Sequence, residues 1–557
     1  MRDLTMLRSI NAPCAGWCGT PRQIREAATG KRQCREFPVA FLRLTPVPCS
    51  GHRLSIHSPL TGPGEHNMLS QKRLVWTLVS TVIGVSGANL AAAQSVLELA
   101  KDVTSIRIES TGEHYTPRQS TTPDGVSRHT SDYTLTVVWE PDAWRAREEW
   151  GIHTVYPVFG DLSFTMTYHE SFGLTAGQDS RAPSPATRPM SGARIGANFK
   201  NLWLTNPLIL AAHAEAIPGS EFKIEDRRYQ RMMLFAHDTQ WSMILDQSNG
   251  LPVEITTIEV DPHKGETEHK VIFSDWREVS GVPFPFQVEQ FLDDKLLRRE
   301  TRNSIDVNPG IAPRLLALSD DLQETDESLR EWGWSMSHFF LARAGLGAPQ
   351  DYPETHTVSL LEVGDDIYQV QGGGSSNNLL IVGPDGLAIV DAPWFPERSE
   401  AVLRHLAERW PEKPLRYVIL THHHIDHTGG FGGYVQAGAT LVTSQDNASF
   451  FTNALERAGQ TGAAVIAVGQ RATLEGIGRP VEVYEVINSH ADGTLVAYVP
   501  DARVAFVTDL FSPGRPRRGG VEALWTSELV ASMKYHGVEV ERYVGGHGAG
   551  YGHPDDD

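Results

Sequence analysis

The apolar stretch LRYVILTH, from Leu415, runs into His422-His423-His424-Ile425-Asp426-His427-Thr428-Gly429-Gly430. Imidazoles at 422, 424 and 427 with a carboxylate at 426 sit at the C-terminal end of a buried strand. They converge on one point only if the loop turns sharply, which Gly429 and Gly430 would permit. Imidazole with carboxylate is the ligand set of hydrolytic zinc sites. The spacing H-x-H-x-D-H therefore reads as a two-metal cluster, with His422 and His424 for one ion and Asp426 and His427 for its neighbour. A solvated His-rich turn is the alternative, but at this chain's His and Asp frequencies the pattern arises by chance on the order of once per several hundred such proteins. In an extended backbone His423 points away from both ions, which makes it structural.

The elements that must position this loop are hairpins and strand-helix units. NLLIVG (378 to 383) and LAIVDA (387 to 392) flank the turn Pro384-Asp385-Gly386. PERSEAVLRHLAERW has the spacing of an amphipathic helix. ATLVTS (439 to 444), VEVYEVI (481 to 487), TLVAYVP (494 to 500) and VAFVTDLF (504 to 511) read as further strands. Together they predict a layered α/β domain over residues 356 to 557.

With these motifs the segment resembles the metallo-β-lactamase-fold hydrolases, which implies an αββα sandwich. The resemblance assigns the remaining positions one at a time. Asp391, ending LAIVDA, implies the aspartate that orients the ligand loop without holding an ion. His490, in NSHADGT, implies the third ligand of the first ion. Asp509, in AFVTDLF, implies the bridging carboxylate, and His547, in YVGGHG, the last ligand of the second ion. The cofactor expected is two divalent ions, zinc foremost with iron or manganese tolerated. Two such ions would share a water and lower its pKa, giving a bridging hydroxide, with Asp426 as the catalytic group handling the proton. The implied activity is cleavage of an ester, lactone, thioester or amide bond of a small molecule. A cysteine-free β-lactamase is one alternative. A binding protein for a lipid-like ligand, with a vestigial metal domain, is the other. Trp394, Phe395 and the turn GGGSSNN from Gly372 to Asn378 are candidate pocket walls, and Arg515 is a candidate contact for an anionic substrate.

Upstream, SDYTLTVVWE (131 to 140), LSFTMTYHE (162 to 170), RYQRMMLFAH (228 to 237), WSMILD (241 to 246) and PVEITTIEVD (252 to 261) alternate apolar and polar residues between turn signals such as Asn249-Gly250. They predict a mainly antiparallel β domain over 94 to 307. Its loose patterning resembles the curved half-barrels of lipoprotein-carrier-like domains, and a helix from Pro207 (PLILAAHAEAIPG) would plug or cover it. Residues 308 to 355 read as a linker with a helix from Ser328 to Ala344, whose Trp332, Trp334, Phe339 and Phe340 pack against a domain. The fold class expected is α+β, with the αββα sandwich following the β domain.

The segment from Met68, MLSQKRLVWTLVSTVIGVSGANLAAAQS, has a basic start, an apolar stretch and small residues at Ala91 and Ala93, the three parts of a secretory signal over 68 to 93. Six small or hydroxyl residues in its apolar part make it a poor membrane span, so cleavage near Gln94 and a periplasmic or secreted product are expected. Residues 1 to 67 then read as an over-extended start, with a Cys-containing metal or targeting segment as the weaker alternative. All four cysteines, Cys14, Cys18, Cys34 and Cys49, lie there. Residues 94 to 557 carry 38 basic and 64 acidic residues, a charge of -26, which argues against a nucleic-acid partner. The 40% hydrophobic content of the chain excludes a disordered class.

Overall fold

The computed structural model describes residues 98–156, 160–179, 185–341, 357–515 and 520–556, all within one compact unit. The expected signal segment, the residues before it and every cysteine lie outside them. Among the described residues no helix is long and apolar enough to cross a membrane.

The N-terminal half is one thirteen-stranded antiparallel sheet. Strands such as Arg145–Thr154 bury every second residue, the signature of a sheet with one packed face. Ile106–Thr116 pairs with its sequence neighbour Arg128–Glu140 on one side and with Lys295–Val307 on the other. Ala186–Pro189 and Glu215–Ile224 are the two edges, so the sheet is not a closed barrel.

The helix covering the packed face is Gly192–Thr205, which sequence periodicity does not reveal because it is buried nearly all round. The helix expected from Pro207 is a single short piece, Pro207–Ala212. It is followed by the edge strand Glu215–Ile224, where the alternation of exposed and half-buried positions prevails over helix propensity. Ile195, Phe199, Leu202, Trp203 and Leu204 of Gly192–Thr205 pack on the apolar face of the sheet.

The expected linker is well packed where it is described. Its helix is divided into Glu327–Ser335 and Ser337–Leu341 at Met336, which leaves the helical conformation. Glu327–Ser335 crosses Gly192–Thr205 so closely that a Cβ on Gly196 would lie 2.0 Å from the Arg330 carbonyl oxygen. Met336, Phe339 and Phe340 then form a small core with Ala193 and Ala197 on one side and Trp394, Phe395 and Ile425 on the other. Phe339 and Phe340 thus join the two halves, with Trp332 packed beside them, whereas Trp334 packs on the core of the antiparallel half as expected.

In the C-terminal half two sheets face each other. Ser359–Gly364, Ile367–Gln371, Asn378–Gly383 and Gly386–Val390 are antiparallel, and Leu415–Ile419, Thr440–Ser444 and Val465–Val468 continue in parallel. The second sheet has six strands, from Arg471–Leu474 to Tyr551–Gly552. Asn378–Gly383, Gly386–Val390 and Thr494–Val499 are buried at every position, as strands covered on both faces must be. Between the sheets lies a core that includes Leu379, Ile419, Leu495 and Phe506. Pro396–Arg409 and Ala448–Arg457 cover one outer face and Gly520–Tyr535 the other. This is the αββα layering expected.

Candidate metal centre

The parallel neighbours Gly386–Val390 and Leu415–Ile419 end side by side, and the chain after each carries polar residues at the sandwich rim. Asp391 is a non-glycine residue with φ of 64°. Trp394 and Thr508, at the same rim, also adopt positive φ. Backbone strain of this kind persists where the surroundings over-determine it. Asp391 Oδ1 accepts from the Thr421 N–H at 2.9 Å and Oδ2 accepts from His427 Nδ1 at 2.9 Å, while its own carbonyl accepts from Asn378 Nδ2. Asp391 thus fixes the start of the ligand loop and the tautomer of His427, whose Nε2 is left facing the centre.

Two groups of ligand atoms result, each lying within 4.8 Å of one another: His422, His424, His490 and Asp509; and Asp426, His427, Asp509 and His547. Asp509 belongs to both through different oxygens. Its Oδ2 lies 2.9 Å from His490 Nε2 and 3.8 Å from His422 Nε2; its Oδ1 lies 2.8 Å from His427 Nε2 and 3.0 Å from His547 Nε2. Asp426 Oδ2 joins the second group, 3.8 Å from His427 Nε2 and 3.7 Å from His547 Nε2.

Other contacts aim the remaining rings. His547 Nδ1 donates to the Ser375 carbonyl at 2.8 Å. His424 Nε2 donates to the Ser120 carbonyl at 2.9 Å, leaving its buried Nδ1 with no hydrogen-bond partner. His423 also donates Nε2 to Ser120 O at 2.9 Å and lies outside both groups.

Burial, with neighbouring imidazoles adding to it, holds His422 and His424 well below the usual histidine pKa, so both are neutral and ready to donate a lone pair. Burial also opposes charge on Asp509, but His427 and His547 beside it hold its pKa well below the carboxylate range. His427 is the converse: burial disfavours its charged form, and Asp509 and Asp426 push its pKa well above the usual value. Among the described residues no Lys or Arg pairs with Asp391, Asp426 or Asp509. The neutral imidazoles of His422 and His424, a buried orphan Nδ1 and carboxylates with no Lys or Arg beside them fit divalent cations. Ions held here would supply Lewis acidity and a water ionised near neutral pH.

Gly429 and Gly430 serve differently from the expectation. Both have negative φ, so neither makes a glycine-only turn. A Cβ on Gly429 would lie 1.7 Å from the Trp394 carbonyl oxygen, so glycine is there to let two backbones touch. Gly546 plays the same part beside His427, whose Cε1 would be 2.6 Å from its Cβ.

Trp394 and Phe395 are not pocket walls: both are buried in the core between the halves. The turn 372–378 frames the site instead of lining it. Buried Arg398 donates to the carbonyls of Gly372 and Ser376 and to Asn378 Oδ1, and Ser375 holds His547. Arg515 reaches toward the Ser375 carbonyl at 3.5 Å.

Sequence reading missed the contribution of the N-terminal half. Gln119 Nε2 donates to Asp426 Oδ1 at 2.8 Å, Ser120 holds two histidines, and His263 Nε2 donates to Thr428 Oγ1, which in turn donates to the His424 carbonyl. Separations beyond 160 residues leave no local signal for any of these contacts.

Comparison with known proteins agrees with the geometry. Residues 371–547 match the model of the metallo-beta-lactamase superfamily. The chain is 28% identical over 174 residues to the 2,4-dinitroanisole O-demethylase subunit alpha of Nocardioides sp. (strain JS1661), covering 31% of this chain and 53% of that protein. It is 34% identical over 110 residues to a linear primary-alkylsulfatase of Pseudomonas sp, covering 18% and 16%. The chain thus spans about half the length of the first relative and under a fifth of the second. A metallo-beta-lactamase from Pontibacter korlensis aligns at 18% identity with a TM-score of 0.30, over 36% of this chain and 94% of that one. The region that carries both ligand groups lies within residues 371–547, the part of the chain that matches the metallo-beta-lactamase superfamily.

Proposed function

We propose that this protein is a binuclear hydrolase that cleaves an ester-type bond of a small organic molecule. The observation that carries this proposal is the division of Asp509, one oxygen toward His422 and His490 and the other toward His427 and His547. A carboxylate shared in this way suits two ions a few ångströms apart better than one. His422, His424 and His490 would hold the first, and Asp426, His427 and His547 the second, zinc being the first choice for imidazole-rich sites. Asp426 is the carboxylate assigned to proton transfer. Its side chain is 13% exposed against 9% for Asp509 and none for Asp391, so of the three it has the widest outlet to solvent.

The named activities of the relatives, alkyl sulfate hydrolysis and O-demethylation of an aryl ether, support placing sulfate esters and activated aryl ethers beside carboxylic esters and lactones as first substrates. The signal-like segment 68–93 supports a periplasmic or secreted site of action.

The test is zinc titration of the full chain followed by assay of alkyl sulfates, aryl ethers, lactones, thioesters and nitrocefin, with His424→Ala alongside. Turnover of one ester-type class that rises with the second equivalent of zinc and vanishes in His424→Ala is expected. Saturation at one ion, or no turnover in any class, overturns the proposal, and turnover of nitrocefin alone would make the enzyme a β-lactamase.

A further inference from the structure

The turn Pro117–Thr121 belongs to the antiparallel half, yet it lies against the ligand loop of the sandwich. Gln119 Nε2 donates to Asp426 Oδ1 at 2.8 Å, and Asp426 Oδ2 is the oxygen that faces His427 and His547. An amide holding one oxygen determines where the other points. The next residue, Ser120, offers its carbonyl to His424 Nε2, which makes Nε2 the protonated nitrogen and leaves Nδ1 with the lone pair. Thr121 completes the seam, its carbonyl accepting from the Asp492 N–H, two residues beyond His490.

The turn is rigid enough to impose these positions. Arg118 forms a buried ion pair with Asp261 on the sheet. The Ser120 hydroxyl sits between the carbonyls of Pro117 and Thr122, at 2.9 Å and 2.6 Å, and shares its one proton between them. Thr116 Oγ1 accepts from the Arg118 N–H.

We infer that the Pro117–Thr121 turn is a working part of the metal centre: Gln119 is a positioning residue for Asp426 at the second ion, and Ser120 sets the tautomer of His424 at the first. The antiparallel half is therefore required for the hydrolase site to be complete. This rests on the proposed binuclear site, and the experiment separates the two.

Zinc and cobalt binding to the full chain are measured for wild type, Gln119→Leu, Gln119→Ala and Asp426→Asn by competition with a chromophoric chelator and by the visible spectrum of the cobalt-loaded protein. Removing a group that orients a ligand typically weakens metal binding about 10–100-fold. Both Gln119 variants should lose about that factor at the second equivalent only, with a shifted cobalt spectrum for that ion and an unchanged first equivalent. Melting in excess chelator reports whether each variant folds, and if Gln119→Leu does not, Gln119→Ala decides. Folded Gln119 variants with wild-type affinities and spectra overturn the inference, even while Asp426→Asn loses the second ion and upholds the binuclear site. Wild type that takes up fewer than two ions overturns the binuclear site itself.

Discussion

Among the described residues, two buried clusters of histidine and carboxylate invite comparison. In the sandwich, three aspartates face five imidazoles with no Lys or Arg among their ion pairs in the described residues. In the antiparallel half, Glu259 and Asp261 face His269 and His338, but Lys200 Nζ lies 2.9 Å from Glu259 and Arg118 pairs with Asp261. Ser337 Oγ and the His338 N–H also donate to Glu259. Residue types alone would nominate both clusters as metal sites. What separates them is the source of positive charge: the β-half cluster carries a permanent cation on each of two side chains, whereas the sandwich carboxylates have only imidazoles beside them.

The comparison can be broken at either cluster. The largest effect is expected from Asp509→Asn, which keeps the shape and removes the shared charge. Metal content should fall below two ions, and turnover should fall by more than the about 100-fold typical of losing a residue that merely supports a ligand. Elemental analysis with steady-state kinetics checks this. Lys200→Met at the other cluster removes the ammonium beside buried Glu259 and leaves its charge to the histidines and hydroxyl around it. It should cost about 3–5 kcal/mol of stability by urea denaturation, with the folded fraction still binding metal normally. If Lys200→Met instead abolished metal binding, the β-half cluster would not be a purely structural ion-pair network.

Chelation is the third perturbation. If ions are present at about 100 times their Kd, removing them should lower stability by about 2.7 kcal/mol for each ion held, in Lys200→Met as in wild type. The smallest effect concerns pH and the seam between the clusters. Burial, helped by Arg118 and His423 and opposed by Asp261, pushes the pKa of His263 down to about 3. The folded chain therefore keeps this ring neutral while the unfolded chain protonates it near pH 6.5. Its contribution is fully present above pH 6.5 and is lost as pH falls toward 3. In metal-free protein His263→Gln should flatten the pH dependence of stability between pH 4 and 6 by about 1.4 kcal/mol per pH unit. An unchanged slope would mean that His263 is not buried as a neutral ring.

Much of the sandwich was legible because its strands are short apolar runs covered on both faces. NLLIVG is the strand Asn378–Gly383, and VEVYEVI differs from Val481–Val486 by one residue. The ligands appeared in sequence because His422, His424, Asp426 and His427 share one loop and the others follow strand ends. The helix Gly192–Thr205 was illegible for the opposite reason. Gly192 and Gly196 are dictated by a close crossing, and Asn198 and Lys200 are buried by partners distant in sequence. Gln119 was equally hidden, since nothing near it in the chain foretells a contact with Asp426.

The pairing of Ile106–Thr116 with Lys295–Val307 also bears on how the protein is made. As the chain elongates, the first strand can pair at once with Arg128–Glu140, but its other edge stays open until residue 295 onward has been synthesised. Contacts so far apart in sequence are slow to close, and open edges invite pairing with other chains. The turn that reaches the metal loop is the direct continuation of that waiting strand. Refolding should therefore restore the sandwich before it restores the full metal centre, and dilute conditions should favour recovery of activity.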